Sequence, residues 1–299
     1  MRLISYRTTS GADGLGVISA DSWLPAESIV AGGPRTMEAL LSDETGGFDS
    51  FLDELRAAAS LERFERGGQP LNTVELLAPI ARPGKIVAIG RNYREHTTEE
   101  GVEPPKAPLI FSKWPSCVIG PEDEIRWDPA LTAQVDYEAE LAVVIGRTAR
   151  RVSEAEALDY VLGYTCLNDV SARDLQFGDG QWIRGKSLDT FCPMGPALVT
   201  ADEIPDPQDL AISCRVNGEL LQDATTADMY FGVAAIISFC SQAFRLDPGD
   251  VIATGTPGGV GIFRDPPVLL GDGDEVIVEI ERIGRLRNIC RFERVAAVS

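Results

Sequence analysis

Two glutamates one residue apart, Glu138 and Glu140, open an apolar run that continues Leu141-Ala142-Val143-Val144-Ile145-Gly146. The run predicts a strand over residues 137–146. Side chains of a strand alternate, so both carboxylates share one face while Leu141, Val143 and Ile145 share the other and belong to a core. Adjacent carboxylates repel each other. A cation between them removes that penalty, and hard oxygen donors select Mg²⁺, Mn²⁺ or Ca²⁺. An exposed strand face carrying acids reads the same way. A third acid, Asp169, follows the apolar run 161–167 and stands where a strand end would offer it to the same ion. Arg173 and Gln176 come four and seven residues later, on one face with Asp169 if a helical turn begins there. An Asp N-cap with a surface arginine is the plainer alternative.

His96 is the only histidine of the chain, and Glu99 follows it by three residues. On a helical turn that carboxylate reaches the imidazole, fixing its tautomer and raising its basicity as a general base requires. A histidine without chemistry is the alternative. Gly90 and Gly101 bound this polar segment, and few apolar residues dock residues 92–106, which suits a mobile lid. The stretch Gly180-Gln181-Trp182-Ile183-Arg184-Gly185-Lys186-Ser187 matches the letters of a phosphate-binding loop. That loop needs a strand before it and a helix after it; residues 176–179 are no apolar strand and Pro193 forbids a long helix, so a nucleotide triphosphatase is rejected. Around Thr256, the glycines 255, 258, 259 and 261 let backbone approach a small ligand closely, or simply form a loop.

These residues need elements to hold them. Short strands are predicted at 85–90, 161–168, 196–200, 210–216, 250–253 and 274–280, with Asn217-Gly218 as a hairpin signal. Helices are expected at 153–160, with Ser153 as N-cap, and at 226–244. Before them, residues 1–19 read as a hairpin, 37–41 and 48–59 as helices, and Gly67-Gly68-Gln69-Pro70 as a break. Residues 1–75 are therefore read as a small N-terminal accessory domain and 76–299 as the catalytic domain. Strands outnumber helices without alternating with them, which makes the fold class β-rich α+β rather than doubly wound.

Composition narrows the function. The 299 residues, 44% of them hydrophobic, are enough for a large core. The net charge of −19 argues against nucleic acid and anionic membranes as partners. No apolar run approaches a membrane span and the N-terminus lacks a signal core, so a cytoplasmic location is expected. Six scattered cysteines without a CxxC pair read as buried free thiols in a reducing compartment. Lysine is scarce, at Lys85, Lys106, Lys113 and Lys186 among 27 basic residues.

From about Lys85 to Asn288 the ordered set of motifs resembles the fumarylacetoacetate hydrolase family, and residues 181–196 and 214–219 look most like its shorter bacterial and mitochondrial members. The resemblance implies a rolled mixed β-sandwich with a small N-terminal α/β domain, usually a homodimer. It implies Glu138, Glu140 and Asp169 as magnesium ligands, His96 and Glu99 as a catalytic dyad, and Lys186 as a catalytic lysine beside the metal. It further implies Thr256, Arg173 and Gln176 as substrate contacts. One metal-binding acid of the longer fumarylacetoacetases has no counterpart in Val87-Ala88-Ile89-Gly90-Arg91-Asn92, which argues against fumarylacetoacetate itself as substrate. The expected activity is magnesium-dependent carbon–carbon hydrolysis of a small 1,3-diketo acid. The alternatives are oxaloacetate decarboxylation or tautomerisation, isomerisation of a 2-hydroxy-diene-dioate, and metal-dependent binding without catalysis.

Overall fold

The computed structural model describes residues 1–42 and 48–293. Its central strand, Ala139–Ile145, is buried on both faces, and the architecture follows from what covers it. Among the described residues it lies within a twelve-stranded mixed sheet, hydrogen-bonded antiparallel to Val161–Asn168 on one side and to Val251–Ala253 on the other. Beyond Val251–Ala253 come Ile86–Gly90, parallel to it, and the edge strand Leu109–Lys113. Beyond Val161–Asn168 come Cys192–Thr200 and then Arg2–Arg7. The hairpin expected near the N-terminus forms from Arg2–Arg7 and Asp13–Ser19 and is followed by Ser22–Pro25. The N-terminal strands thus extend the same sheet that carries residues 139–145.

A five-stranded sheet, ordered Glu219–Thr225, Ala211–Val216, Glu275–Ile280, Gly284–Phe292 and Glu124–Trp127, covers one face. Leu141, Val143 and Ile145 meet Ile212, Cys214, Val276, Val278 and Leu286 in that core. Ala142 and Val144, on the opposite face, meet Leu3, Leu15, Leu52 and Leu55 of the N-terminal segment. Alternation therefore feeds two cores from one strand, and a near-continuous apolar run is what such a strand requires. A buried leucine or valine side chain contributes about 1.5–3 kcal/mol relative to leaving it exposed.

Helices are few. Met37–Leu41 and Phe48–Ala58 form as expected, Leu61–Gly67 was not anticipated, and residues 153–160 make a 3₁₀ helix, Glu154–Tyr160. The helix expected over 226–244 is shorter and begins at Val233. Residues 229–231 are pulled out of it because Tyr230 and Phe231 donate their N–H groups to the Asn92 carbonyl (2.7 Å) and the Asn92 Oδ1 (2.9 Å). No helix among the described residues is long and apolar enough to cross a membrane. All six cysteines are free and buried.

Candidate active site

Three strands end at one place. Ala139–Ile145 begins there, whereas Ile86–Gly90 and Val251–Ala253 finish there. Glu138 and Glu140 sit at the start of the first, and Asp169 just past the end of Val161–Asn168, whose Asn168 pairs with Ala139. The Asp169 N–H donates to the Glu138 carbonyl at 2.9 Å, which sets the third acid against the first two. Each of the three offers a carboxylate oxygen within 4.8 Å of the others, and all three are buried. The exposed-face alternative for the two glutamates is therefore excluded.

Cations fill this cluster. Lys186 Nζ lies 2.7 Å from Glu138 Oε2 and 2.9 Å from Asp169 Oδ2. Arg173 donates from Nη1 to Glu138 Oε1 at 2.6 Å and from Nε to Asp136 Oδ2 at 2.9 Å. Lys113 Nζ, fully buried, lies 2.6 Å from Asp169 Oδ1 and also donates to the Lys186 carbonyl. Glu140 is different: its Oε2 accepts the Gly255 N–H at 2.8 Å, and no cation touches it among the described residues.

The titration of the two glutamates diverges accordingly. Burial would raise the Glu138 carboxyl, but Lys186 and Arg173 outweigh it and hold the group down at about 2. Burial, followed by the Asp169 and Glu138 charges, pushes Glu140 well above the ordinary carboxylate range. An all-oxygen donor set, buried and with one carboxylate that no protein cation touches among the described residues, fits a hard divalent cation.

His96 lies on the helix Arg94–Glu100, with Nδ1 2.7 Å from Glu99 Oε1. Glu99 Oε2 in turn accepts the Gly259 N–H at 2.7 Å. A carboxylate so fixed takes the Nδ1 proton and leaves Nε2 as the basic atom. The glycines near Thr256 serve this helix. A side chain at Gly255, where φ is +99°, would meet Asn92 Cβ at 2.8 Å, and one at Gly258 would meet Glu95 Cβ at 2.8 Å.

The segment expected to be loosely attached is seated over the site. Asn92 Nδ2 donates to the carbonyls of Thr254 (2.8 Å) and Phe231 (3.0 Å), Tyr93 is fully buried, and the Thr97 and Tyr230 hydroxyls are 3.0 Å apart. These anchors come from residues distant in sequence, which is why a local count of apolar residues missed them. At its mouth Arg91 makes a two-pronged pair with Glu100 (2.7 and 2.9 Å) and stacks over Trp182.

The narrow cleft so formed is lined by His96, Glu138, Glu140, Arg173, Gln176, Lys186 and Thr256. Glu99 reaches it through His96. Asp169 lies beneath the lysines. Arg173 and Gln176 do share a helix, Arg173–Asp179, and are joined at 3.0 Å, but Asp169 precedes that helix and is not on its face. The phosphate-loop letters fall on the short helix Ile183–Lys186, with a helix instead of a strand before them. Sequence reasoning did not single out Lys113, Asp136, Asn92 or Gln222. The scarcity of lysine was the available signal for Lys113; the others had none.

Residues 85–291 match the family described as fumarylacetoacetate (FAA) hydrolase C-terminal. The chain is 42% identical over 303 residues to a human protein named oxaloacetate tautomerase FAHD2A, mitochondrial, covering 96% of this chain and 91% of that one. A fumarylacetoacetate hydrolase of Exiguobacterium antarcticum superposes with a TM-score of 0.83 at 38% identity, over 98% of this chain and all of that chain (100%). A 2-hydroxyhepta-2,4-diene-1,7-dioate isomerase of Mycobacterium marinum superposes with a TM-score of 0.75 at 36% identity, over 99% and 100%. The human protein carries a mitochondrial designation, in contrast to the cytoplasmic location expected from sequence.

Proposed function

The chain belongs to the fumarylacetoacetate hydrolase family of enzymes, and from that premise we propose that it interconverts the keto and enol forms of a small 2-keto diacid of the oxaloacetate type, with Mg²⁺ held by Glu138, Glu140 and Asp169. The observation that carries this reading is the oriented His96–Glu99 pair facing the carboxylate triad across one small cleft. Likeness over nearly the whole chain to a protein named an oxaloacetate tautomerase supports the choice of reaction over carbon–carbon hydrolysis.

The bound cation would supply electrophilic polarisation of the 2-keto oxygen. His96 Nε2 removes a proton from the carbon between the keto group and the distal carboxylate, breaking that C–H bond. Glu99 stabilises the imidazolium that results. Lys186, anchored by Glu138 and Asp169, sets a positive charge beside the oxyanion as it develops at the former keto oxygen. Transfer of the proton now held on His96 Nε2 to that oxygen completes the enol and returns the imidazole to its starting form, and the reverse sequence restores the ketone. Arg173 and Gln176 orient the substrate carboxylate, and the docked helix Arg94–Glu100 limits access of water.

Hydrolysis of an acylpyruvate is the second reading, favoured by the same dyad, which suits deprotonation of a water as well as of a carbon. The two are separated by following the enol absorbance of oxaloacetate and, in parallel, pyruvate release from acetylpyruvate, each with Mg²⁺. Catalysed ketonisation well above the spontaneous rate, without release of pyruvate, is expected. Pyruvate release from acetylpyruvate with no effect on oxaloacetate would reverse the assignment. We also propose that the protein is a homodimer, as the family resemblance implies; light scattering on the eluted peak tests it.

A further inference from the structure

We propose that Gln222 is a positioning residue that turns the Thr256 hydroxyl into an obligate donor toward an anionic oxygen of the substrate. The inference rests on the reading that Thr256 faces a keto-acid ligand, and it adds a residue from the other sheet to that site. Gln222 lies on Glu219–Thr225, at the edge of the five-stranded sheet, and is 1% exposed.

Every polar atom of its amide is committed. Oε1 accepts the Ala139 N–H at 2.9 Å. Nε2 donates to Thr256 Oγ1 at 2.8 Å and to the Pro257 carbonyl at 3.0 Å. The backbone partners fix which end of the amide is which. A flipped amide would face its oxygen to the Pro257 carbonyl and its N–H₂ to the Ala139 N–H, losing both bonds. Thr256 Oγ1 is therefore the acceptor in its bond with Gln222. A hydroxyl has one proton, and that proton is left for another partner. Thr256 lines the cleft beside Glu140 and Lys186, and among the described residues Gln222 is the one hydrogen-bond partner of its Oγ1, which leaves the cleft as the direction open to that proton. A donor aimed there stabilises a carboxylate or enolate oxygen and repels nothing it should bind. Without Gln222 the hydroxyl is free to rotate, and with an acceptor in its place the hydroxyl turns away.

The test inverts the polarity at nearly constant shape. Gln222→Glu, when ionised, accepts where glutamine donated, so the Thr256 proton is drawn away from the cleft. Affinity of the magnesium-loaded protein for oxalate, measured by calorimetry at pH 8, should fall by about 10- to 100-fold, the worth of one hydrogen bond to a charged group. Affinity for Mg²⁺ alone should stay within about threefold of wild type on that same scale. Thr256→Val should lose as much oxalate affinity as Gln222→Glu, Thr256→Ser should lose little, and the double variant should be no worse than Thr256→Val. As pH falls and the introduced carboxyl gains a proton it can donate again, so the deficit of Gln222→Glu relative to wild type should shrink. Gln222→Met provides the same cycle without the pH recovery, should the charged variant fail to fold. Losses that multiply in the double variant, or a deficit unchanged with pH, would overturn the assignment of polarity. A Thr256→Val protein that binds oxalate like wild type would overturn it by removing Thr256 from the ligand. A wild-type protein that binds no oxalate with Mg²⁺ would overturn the keto-acid reading itself, and the inference with it.

Discussion

The strands Ile86–Gly90, Val251–Ala253 and Ala139–Ile145 carry a cluster of buried or half-buried charge at each end, and the two clusters differ in how their carboxylates are satisfied. At one end Lys85 Nζ stands between Asp247 (2.8 Å) and Asp250 (2.7 Å), and each carboxylate touches the ammonium directly. The lysine side chain remains 37% exposed, so water shares in the solvation. At the other end Lys113, Lys186 and Arg173 crowd Glu138 and Asp169, all of them buried, while among the described residues Glu140 receives one backbone N–H and no cation. The first arrangement ties a loop to a strand. The second holds a carboxylate that no protein cation among the described residues neutralises, at a cost in desolvation that a proton or a further cation offsets. The contrast separates a structural ion pair from a carboxylate triad with the geometry to take an ion.

The largest break in that contrast should come from Glu140→Gln. The amide removes the unneutralised charge and one anionic ligand together. Activity should fall by on the order of 10³-fold or more, because one anionic ligand carries several kcal/mol of the metal's hold. Magnesium should raise the melting temperature of the wild type by mass action and leave that of the variant unchanged. A variant that keeps its magnesium-dependent shift would show that Glu140 is not a ligand. Next in size is His96→Ala, which should slow the reaction by on the order of 10²-fold or more, the scale of a general base. Its Mg²⁺ affinity should match wild type, since His96 touches Glu99 and not the triad. A parallel loss of metal would make it a ligand instead.

Lys113→Met sharpens the comparison through stability. Both partners of the Lys113–Asp169 pair are fully buried. Burial alone would lower the Lys113 ammonium, and the Asp169 charge outweighs it and raises it above its ordinary value. Removing the lysine leaves the buried Asp169 carboxylate with Lys186 as its remaining cation, so the cost should fall at the low end of a broken buried pair, about 3 kcal/mol. Urea unfolding should show that loss in the metal-free protein. A change below about 1 kcal/mol would put the pair in the class of water-shared contacts.

How much of this was readable beforehand depends on distance along the chain. The Glu138–Glu140 pair and the His96–Glu99 pair are local patterns, at two and three residues, and period alone brought each together. The apolar runs that become Ala139–Ile145 and Val161–Asn168 announced themselves by composition. Leu109–Lys113 did not, because as an edge strand it leaves Leu109 and Ile110 exposed and so breaks the alternation. Asp136 and Arg173 lie 37 residues apart, Lys113 and Asp169 56, and Gln222 and Thr256 34. No local signal links such partners; the sheet topology makes them neighbours. The shortened helix at Val233 is the same lesson, since it yields to Asn92, 139 residues from Phe231.

The smallest expected effect belongs to the other end of the strands, and it is the control that gives the larger ones meaning. Lys85→Met removes an ammonium that solvent already shares, so its cost is about 1 kcal/mol, near the upper end for an open pair because Asp250 itself is buried. Burial opposes the Lys85 charge, but Asp247 and Asp250 together outweigh it and raise the group above its ordinary value of 10.5. The sign follows. A raised ammonium contributes its full stability below the unfolded value and loses it as pH climbs through the folded one. Between pH 6 and 9 the difference in unfolding free energy between wild type and Lys85→Met should therefore be flat, narrowing only in strongly alkaline solution. The keto-acid reaction should proceed at the wild-type rate throughout, because Lys85 lies at the opposite end of Ile86–Gly90 from the cleft. A rate loss matching that of Glu140→Gln would mean that the two ends are coupled and that the division drawn between them is wrong.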